Sequence, residues 1–146
     1  MTELSIPFDK LAAGAVYHDS VEALLAEVDV LSIHCPASLQ TKGLINSQRL
    51  AILHSNAIVV NTSRGGVVDD DALVNALKSG SIAAAGLDVY NGEPDDINPE
   101  YSHLDNVFLL PHIGSATHET RNAMGYRAID NLIAIFNGEV PKDRVV

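Results

Sequence analysis

Three side chains of complementary chemistry each follow an apolar run: Arg64 after Val59-Val60-Asn61, Glu93 after Gly86-Leu87-Asp88-Val89, and His112 after Phe108-Leu109-Leu110-Pro111. Arginine's planar fork holds a carboxylate through two parallel charge-assisted hydrogen bonds and so fixes its orientation. Histidine titrates near neutrality and passes a proton to or from an oxygen, while a glutamate on its other ring nitrogen favours the imidazolium. The set suits a small acid bearing a carbonyl or hydroxyl. Arg64 would orient the carboxylate, and His112 would donate a proton during ketone reduction or accept one during alcohol oxidation, with Glu93 tuning it. Singly, each has a plainer reading: Arg64 capping a carbonyl or paired with one of Asp69 to Asp71, His112 as a structural histidine, Glu93 as a solvated turn residue. Their joint placement after three apolar runs carries the chemical reading.

The elements that must position these residues follow from hydrophobic period. Val21, Leu24, Leu25 and Val28 fall on one helical face, with Asp19 and Glu22 at capping-box spacing. Val30 to Ile33 reads as a buried strand broken before Pro36, and "NSQRLAIL" as a short helix capped by Asn46 or Ser47. Ala57 to Asn61 is a continuous β-branched run, which predicts a strand covered on both faces. Asp69, Asp70 and Asp71 open the next helix, where negative charge meets the positive end of the dipole, and Gly80 closes it. Ala83 to Val89 and Val107 to Leu110 are further strands, separated by the turn-rich "NGEPDDINPE". Thr117 caps a long terminal helix over 117–138, with Met124, Ala128, Leu132, Ile135 and Phe136 as its packing residues and Gly138 at its end. Residues 1–14 form an irregular lead-in, followed by a short strand near Ala15 to Tyr17. Strands alternating with helices predict an α/β fold, a doubly wound parallel sheet within a single domain over 1–146. In such sheets ligands bind beyond the carboxyl ends of the strands, where Arg64, Glu93 and His112 lie.

Composition narrows the class. Hydrophobic residues make up 47% and charged ones 19%, enough apolar material for a core at this length and against disorder. The formal charge of −10 is spread along the chain and repels phosphate backbones and anionic membranes, so neither nucleic acid nor membrane is expected as a partner. The single cysteine, Cys35, excludes an intrachain disulfide and reads as a small core residue in a reducing, cytoplasmic setting. No histidine pair at i, i+4 and no H-E-x-x-H occurs, so no metal site is expected. Asn61-Thr62-Ser63 spells a glycosylation sequon, which a cytoplasmic strand end makes a coincidence.

The segments "NTSRGGVVDDDALVNALKSG", "AAGLDVYNGEP" and "NVFLLPHIGSATHETRNAM" resemble, in order and spacing, the nucleotide-binding domain of the NAD(P)-dependent D-isomer-specific 2-hydroxyacid dehydrogenases. The resemblance runs from about Gly14 to the C-terminus, and "GSATHETRNAM" leans toward the glyoxylate or hydroxypyruvate reductase branch. It implies that Arg64 binds the substrate carboxylate, that Glu93 supports the histidine, and that His112 is the acid/base. It further implies that Asp88 helps hold the nicotinamide carboxamide and that Thr62, Ser63, Gly114 and Ser115 lie near the nicotinamide. Cys35, Pro36 and Thr41 would sit in the loop passing the adenosine side, with Ser38 where many members have threonine. The implied cofactor is NAD or NADP and the implied substrate a small 2-oxo or 2-hydroxy acid.

Family members also carry a G-x-G-x-x-G loop that cradles the pyrophosphate, a residue that reads the ribose 2′ position, and a separate substrate domain. No G-x-G-x-x-G occurs here, and Gly65-Gly66 lacks its spacing. The expectation is therefore a partial Rossmann-like sheet lacking the first βαβ unit, with weak cofactor binding and little turnover by the chain alone. A bared sheet edge and uncovered apolar faces predict self-association into a homo-oligomer.

Overall fold

The computed structural model describes residues 14–145. Four strands, β1 (Val30–Ile33), β2 (Ile58–Asn61), β3 (Ala84–Leu87) and β4 (Val107–Leu109), lie side by side in that order, every neighbouring pair parallel. The expected α/β, Rossmann-like sheet is thus present. Register places Ile33, Asn61, Leu87 and Leu109 in one row across the carboxyl ends, so the turns that leave them open toward the same edge. At about 4.8 Å per strand, the ends of β2 and β4 lie roughly 10 Å apart.

Local chemistry explains the helices. α1 (Val21–Leu25) is capped by Ser20, whose Oγ accepts from Ala23 N at 3.1 Å; the hydroxyl one residue beyond Asp19 takes the cap in place of the expected Asp19–Glu22 box. Asn46 caps α2 (Ser47–Leu50) through Oδ1 on Arg49 N. Asp69 caps α3 (Asp70–Ser79), Asp70 and Asp71 sit in its first turn, and Gly80 closes it at φ 69°. Thr117 caps α4 (His118–Phe136), followed by Gly138 at φ 73°. Ala15 to Tyr17 is irregular instead of a strand, and 1–13 of the expected lead-in lies outside the described residues.

One sheet face is the core. Leu31, Ile33, Val59, Ala85 and Leu87 are buried there in one cluster with Leu50 of α2 and Leu73, Val74 and Leu77 of α3. Because the strand order steps in a single direction, right-handed crossovers bring α2 and α3 to the same side. The opposite face is open among the described residues: Val30, Ile58 and Phe108 are exposed there. The continuous apolar run of β2, read as doubly covered, is therefore covered on one face only. The long terminal helix also departs from expectation. None of its residues is buried, and Met124, Leu132, Ile135 and Phe136 face solvent in place of a packing partner. A polar clasp holds the segment after it: Asp143 folds back to accept from Arg127 Nε and Nη2 and from Asn131 Nδ2. No helix among the described residues is long and apolar enough to cross a membrane.

Candidate active site

The turn after β2 is built on Asn61, a buried polar side chain only 1% exposed. Its Oδ1 accepts from Ser63 N at 3.1 Å and Ser63 Oγ at 3.0 Å, while its Nδ2 donates to the Arg64 carbonyl at 3.0 Å. One amide therefore fixes the path from Thr62 to Arg64 and is unavailable to a glycan. Arg64 is exposed, its Nη1 donating to the Ser63 carbonyl at 2.7 Å, and it forms no ion pair among the described residues. Of its two plainer readings, the carbonyl contact is made and the pairing with Asp69 to Asp71 is not, and the guanidinium keeps most of its donors for another acceptor.

Gly65 brings this turn against the next one. A Cβ on Gly65 would lie 2.0 Å from the Tyr90 carbonyl carbon, so only glycine permits the approach. Glu93 follows on that second segment and meets His112 across the gap between the β3 and β4 ends: Oε1 lies 2.9 Å from Nδ1. The other carboxylate oxygen, Oε2, accepts from Tyr90 N at 3.3 Å. The Glu93 side chain is one quarter exposed and that of His112 about half, so the ring's Nε2 edge is the one available to a ligand.

His112 has a φ of 53°, the left-handed region that a residue with a Cβ enters only at a cost. Asp88 stabilises the turn. Its two oxygens accept from Ile113 N and Gly114 N, each at 2.8 Å, and the carboxylate is 6% exposed. Two successive N–H groups converge on one buried anion, as in an anion-binding nest filled from within the chain. A Cβ on Gly114 would lie 3.1 Å from Asp88 Oδ2, so its smallness keeps that contact short. Gly114 and Ser115 are exposed next to His112.

At the carboxyl ends of β1 and β2 a cleft of about 430 Å³ is lined by His34, Cys35, Pro36, Ala37, Thr62, Ser63 and Arg64. Cys35 is partly buried against the core, as expected of a small apolar residue. Thr41 does not line this cleft: its Oγ1 donates to the Pro36 carbonyl at 2.7 Å and accepts from Ser38 N at 2.8 Å, closing the 36–41 loop on itself. A neighbouring concavity of about 530 Å³ is lined by Asp69, Asp70, Asp71 and Asp96 against the single cation Lys42, a charge balance that repels an anionic substrate. No cluster of three or more histidine, cysteine or acidic side chains able to hold a metal exists among the described residues. Sequence reading had not singled out Tyr90 as a site residue, nor His34 beside the cleft, nor the turn-building part played by Asn61. The Tyr90 bond to Leu110 spans 20 residues and carries no sequence spacing by which to find it, whereas the Asn61 bonds to residues two and three positions on are the local turn that an asparagine at a strand end offers.

These arrangements can be set beside known proteins. The family model for the D-isomer specific 2-hydroxyacid dehydrogenase NAD binding domain matches residues 5–114. Glyoxylate/hydroxypyruvate reductase B of Erwinia tasmaniensis is 51% identical over 125 residues, which cover 86% of this chain and 39% of that protein. Glyoxylate reductase of Thermococcus litoralis is 50% identical over 132 residues, covering 90% of this chain and 39% of that protein. An NADPH-dependent glyoxylate/hydroxypyruvate reductase from Sinorhizobium meliloti, solved in complex with NADP and malonate, has a TM-score of 0.83 and 39% identity, covering 90% of this chain and 40% of that one. The chain spans about two fifths of the length of the curated relatives it matches. With its strand-end motifs in place on a parallel sheet and its residues 5–114 matching the NAD binding domain, the chain belongs to the D-isomer specific 2-hydroxyacid dehydrogenase family.

Proposed function

We propose that this chain supplies the carboxylate-binding and acid/base side of a site that interconverts a small 2-oxo acid, of the glyoxylate or hydroxypyruvate kind, and its 2-hydroxy acid. The observation that carries this reading is the contact between Glu93 and His112 Nδ1 at 2.9 Å, which leaves Nε2 open at the carboxyl-end edge of the sheet from which the Arg64 turn also leaves, two strands away. The donor set fits a nicotinamide dinucleotide: hydroxyls of Thr62 and Ser63 beside the apolar edges of Cys35 and Pro36, in a cleft of about 430 Å³ at strand carboxyl ends. Bound NAD or NADP would supply a hydride to C2 of the oxo acid or receive one from the hydroxy acid. Arg64 holds the substrate carboxylate in its fork, and His112 Nε2 gives the proton to the C2 oxygen during reduction and takes it back during oxidation. Glu93 keeps Nδ1 as the bonded nitrogen and so leaves Nε2 for the proton transfer. Gly114 and Ser115 would flank the nicotinamide, Asp88, which braces their turn, would meet the carboxamide, and Cys35 and Pro36 would pass the adenosine side, on a loop that Thr41 closes.

The same reading takes 1–146 as one domain of a cytoplasmic protein with no nucleic-acid or membrane partner. The exposed sheet face and α4 support a second component, self-association of the chain into a homo-oligomer. By itself the chain binds cofactor weakly and turns over slowly or not at all, acting then as a silent, self-associating α/β module. The test follows absorbance at 340 nm with NADH or NADPH and glyoxylate, hydroxypyruvate or pyruvate, alongside calorimetric titration of the cofactor. Any turnover should fall by roughly 10²- to 10⁴-fold in His112→Ala. Turnover indifferent to His112 and Arg64 would contradict the assignment, and absence of binding at millimolar cofactor would leave the silent module as the function of the chain alone.

A further inference from the structure

Tyr90 touches all three turns of the candidate site, although its side chain points into the protein and is 7% exposed. Its backbone carbonyl is the wall against which Gly65 closes. Its N–H donates to Glu93 Oε2 at 3.3 Å. Its hydroxyl lies 3.0 Å from the Leu87 carbonyl, which ends β3, and 2.7 Å from the Leu110 carbonyl, two residues before His112. Leu110 N also donates to that Leu87 carbonyl at 2.8 Å, so the hydroxyl sits where the last β3–β4 hydrogen bond is made. Burial pushes the Tyr90 hydroxyl above the ordinary tyrosine range, which keeps it a donor. A phenol needs only one acceptor; this one is shared between two strand ends. Of the two contacts, the shorter runs to the segment that carries His112.

We propose that Tyr90 is a positioning residue for the Glu93–His112 pair: its N–H sets the rotamer of Glu93 while its hydroxyl ties the His112 segment to the end of β3. The inference rests on the acid/base reading of that pair. Fixing both partners from one residue makes their separation insensitive to motion of either turn, and the contact holds neutral His112 in the Nδ1–H tautomer with Nε2 free. Loosening the tie releases the ring toward the Nε2–H form, the wrong tautomer for a nitrogen that must accept a proton.

The tautomer can be read without turnover, from long-range ¹H–¹⁵N correlation spectra of the ¹⁵N-labelled chain at a pH where His112 is neutral. Tyr90→Phe should lower the Nδ1–H to Nε2–H ratio of His112 by roughly three- to tenfold, the worth of one modest hydrogen bond. Tyr101→Phe removes another buried hydroxyl, bonded to Asp70 at 2.8 Å, and should leave the ratio at its wild-type value. Glu93→Ala reports on the pair itself and should abolish the Nδ1–H preference. An unchanged ratio in Tyr90→Phe, or an equal fall in Tyr101→Phe, overturns the positioning role. An unchanged ratio in Glu93→Ala overturns the paired reading of Glu93 and His112, and with it the inference.

Discussion

At Asn61 a single buried amide holds the loop on which Arg64 is displayed, and the two residues separate stability from chemistry. Asn61→Leu keeps the volume but strands Ser63 N and the Arg64 carbonyl, which should lower unfolding free energy by roughly 2–4 kcal/mol in urea denaturation. A change near zero would mean that water replaces the amide. Arg64→Lys should leave stability unchanged, because no ion pair is lost, yet weaken binding of a 2-oxo acid analogue such as oxamate about tenfold by removing the fork. The placement of Arg64, Glu93 and His112 beyond three strand ends was legible in the sequence, because each follows an apolar run that forms a strand. The turn-building amide of Asn61 and the Tyr90 hydroxyl were not. Asn61 ends an apolar run that reads as strand, which masks the local turn its amide makes to Ser63 and Arg64, and Tyr90 contacts Leu110, 20 residues away, only after β3 and β4 have paired.

Between elements, closeness is set by glycine and by charge. Gly65→Ala forces a Cβ into the Tyr90 backbone and should cost more than about 2 kcal/mol, with amide shifts at Tyr90, Asn91 and Glu93. Gly66→Ala is the control, since its Cβ would meet Asn91 Oδ1 at 3.4 Å, an ordinary contact. The segment after α4 is held by Asp143, whose hydrogen bonds from Arg127 and then Asn131 hold its carboxyl down to about 2. A carboxylate depressed from 3.8 contributes its anchoring above that value and loses it as pH falls through about 2. In a carboxyl-carbon NMR titration Arg127→Met should move the Asp143 midpoint back up toward 3.8; an unmoved midpoint would show that the clasp does not form in solution. Caps and stop signals at Asn46, Asp69, Gly80, Thr117 and Gly138 were readable because they act within one turn of chain. The cap of α1 was misplaced by one residue, since Asp19 and Ser20 are both good caps and only backbone geometry decides between them.

For the molecule as a whole, the order of strands and helices follows from hydrophobic period, but which surfaces are covered does not. The apolar runs of β2 and α4 read as buried on period alone; the open face of β2 follows from crossovers that all step in one direction, and α4, after the last strand, has no buried residue. The resulting apolar surface should drive association that strengthens with concentration and with salt, because screening relieves the repulsion of a −10 charge. Light scattering should detect dimers or larger species, and Phe108→Lys on the sheet face or Phe136→Lys on α4 should shift them toward monomer. A strictly monomeric wild-type chain at all salt concentrations would contradict this. Whether Arg64 and His112 together face the carboxylate and oxygen of a 2-oxo acid is read by titrating oxamate, with NADPH present, into the labelled chain. Shifts should concentrate at Arg64 Nε–H and the His112 ring, be lost in Arg64→Gln and be retained in Arg49→Gln, since the Arg49 guanidinium pairs with Glu22. Shifts scattered over the surface, or unchanged in Arg64→Gln, would contradict it.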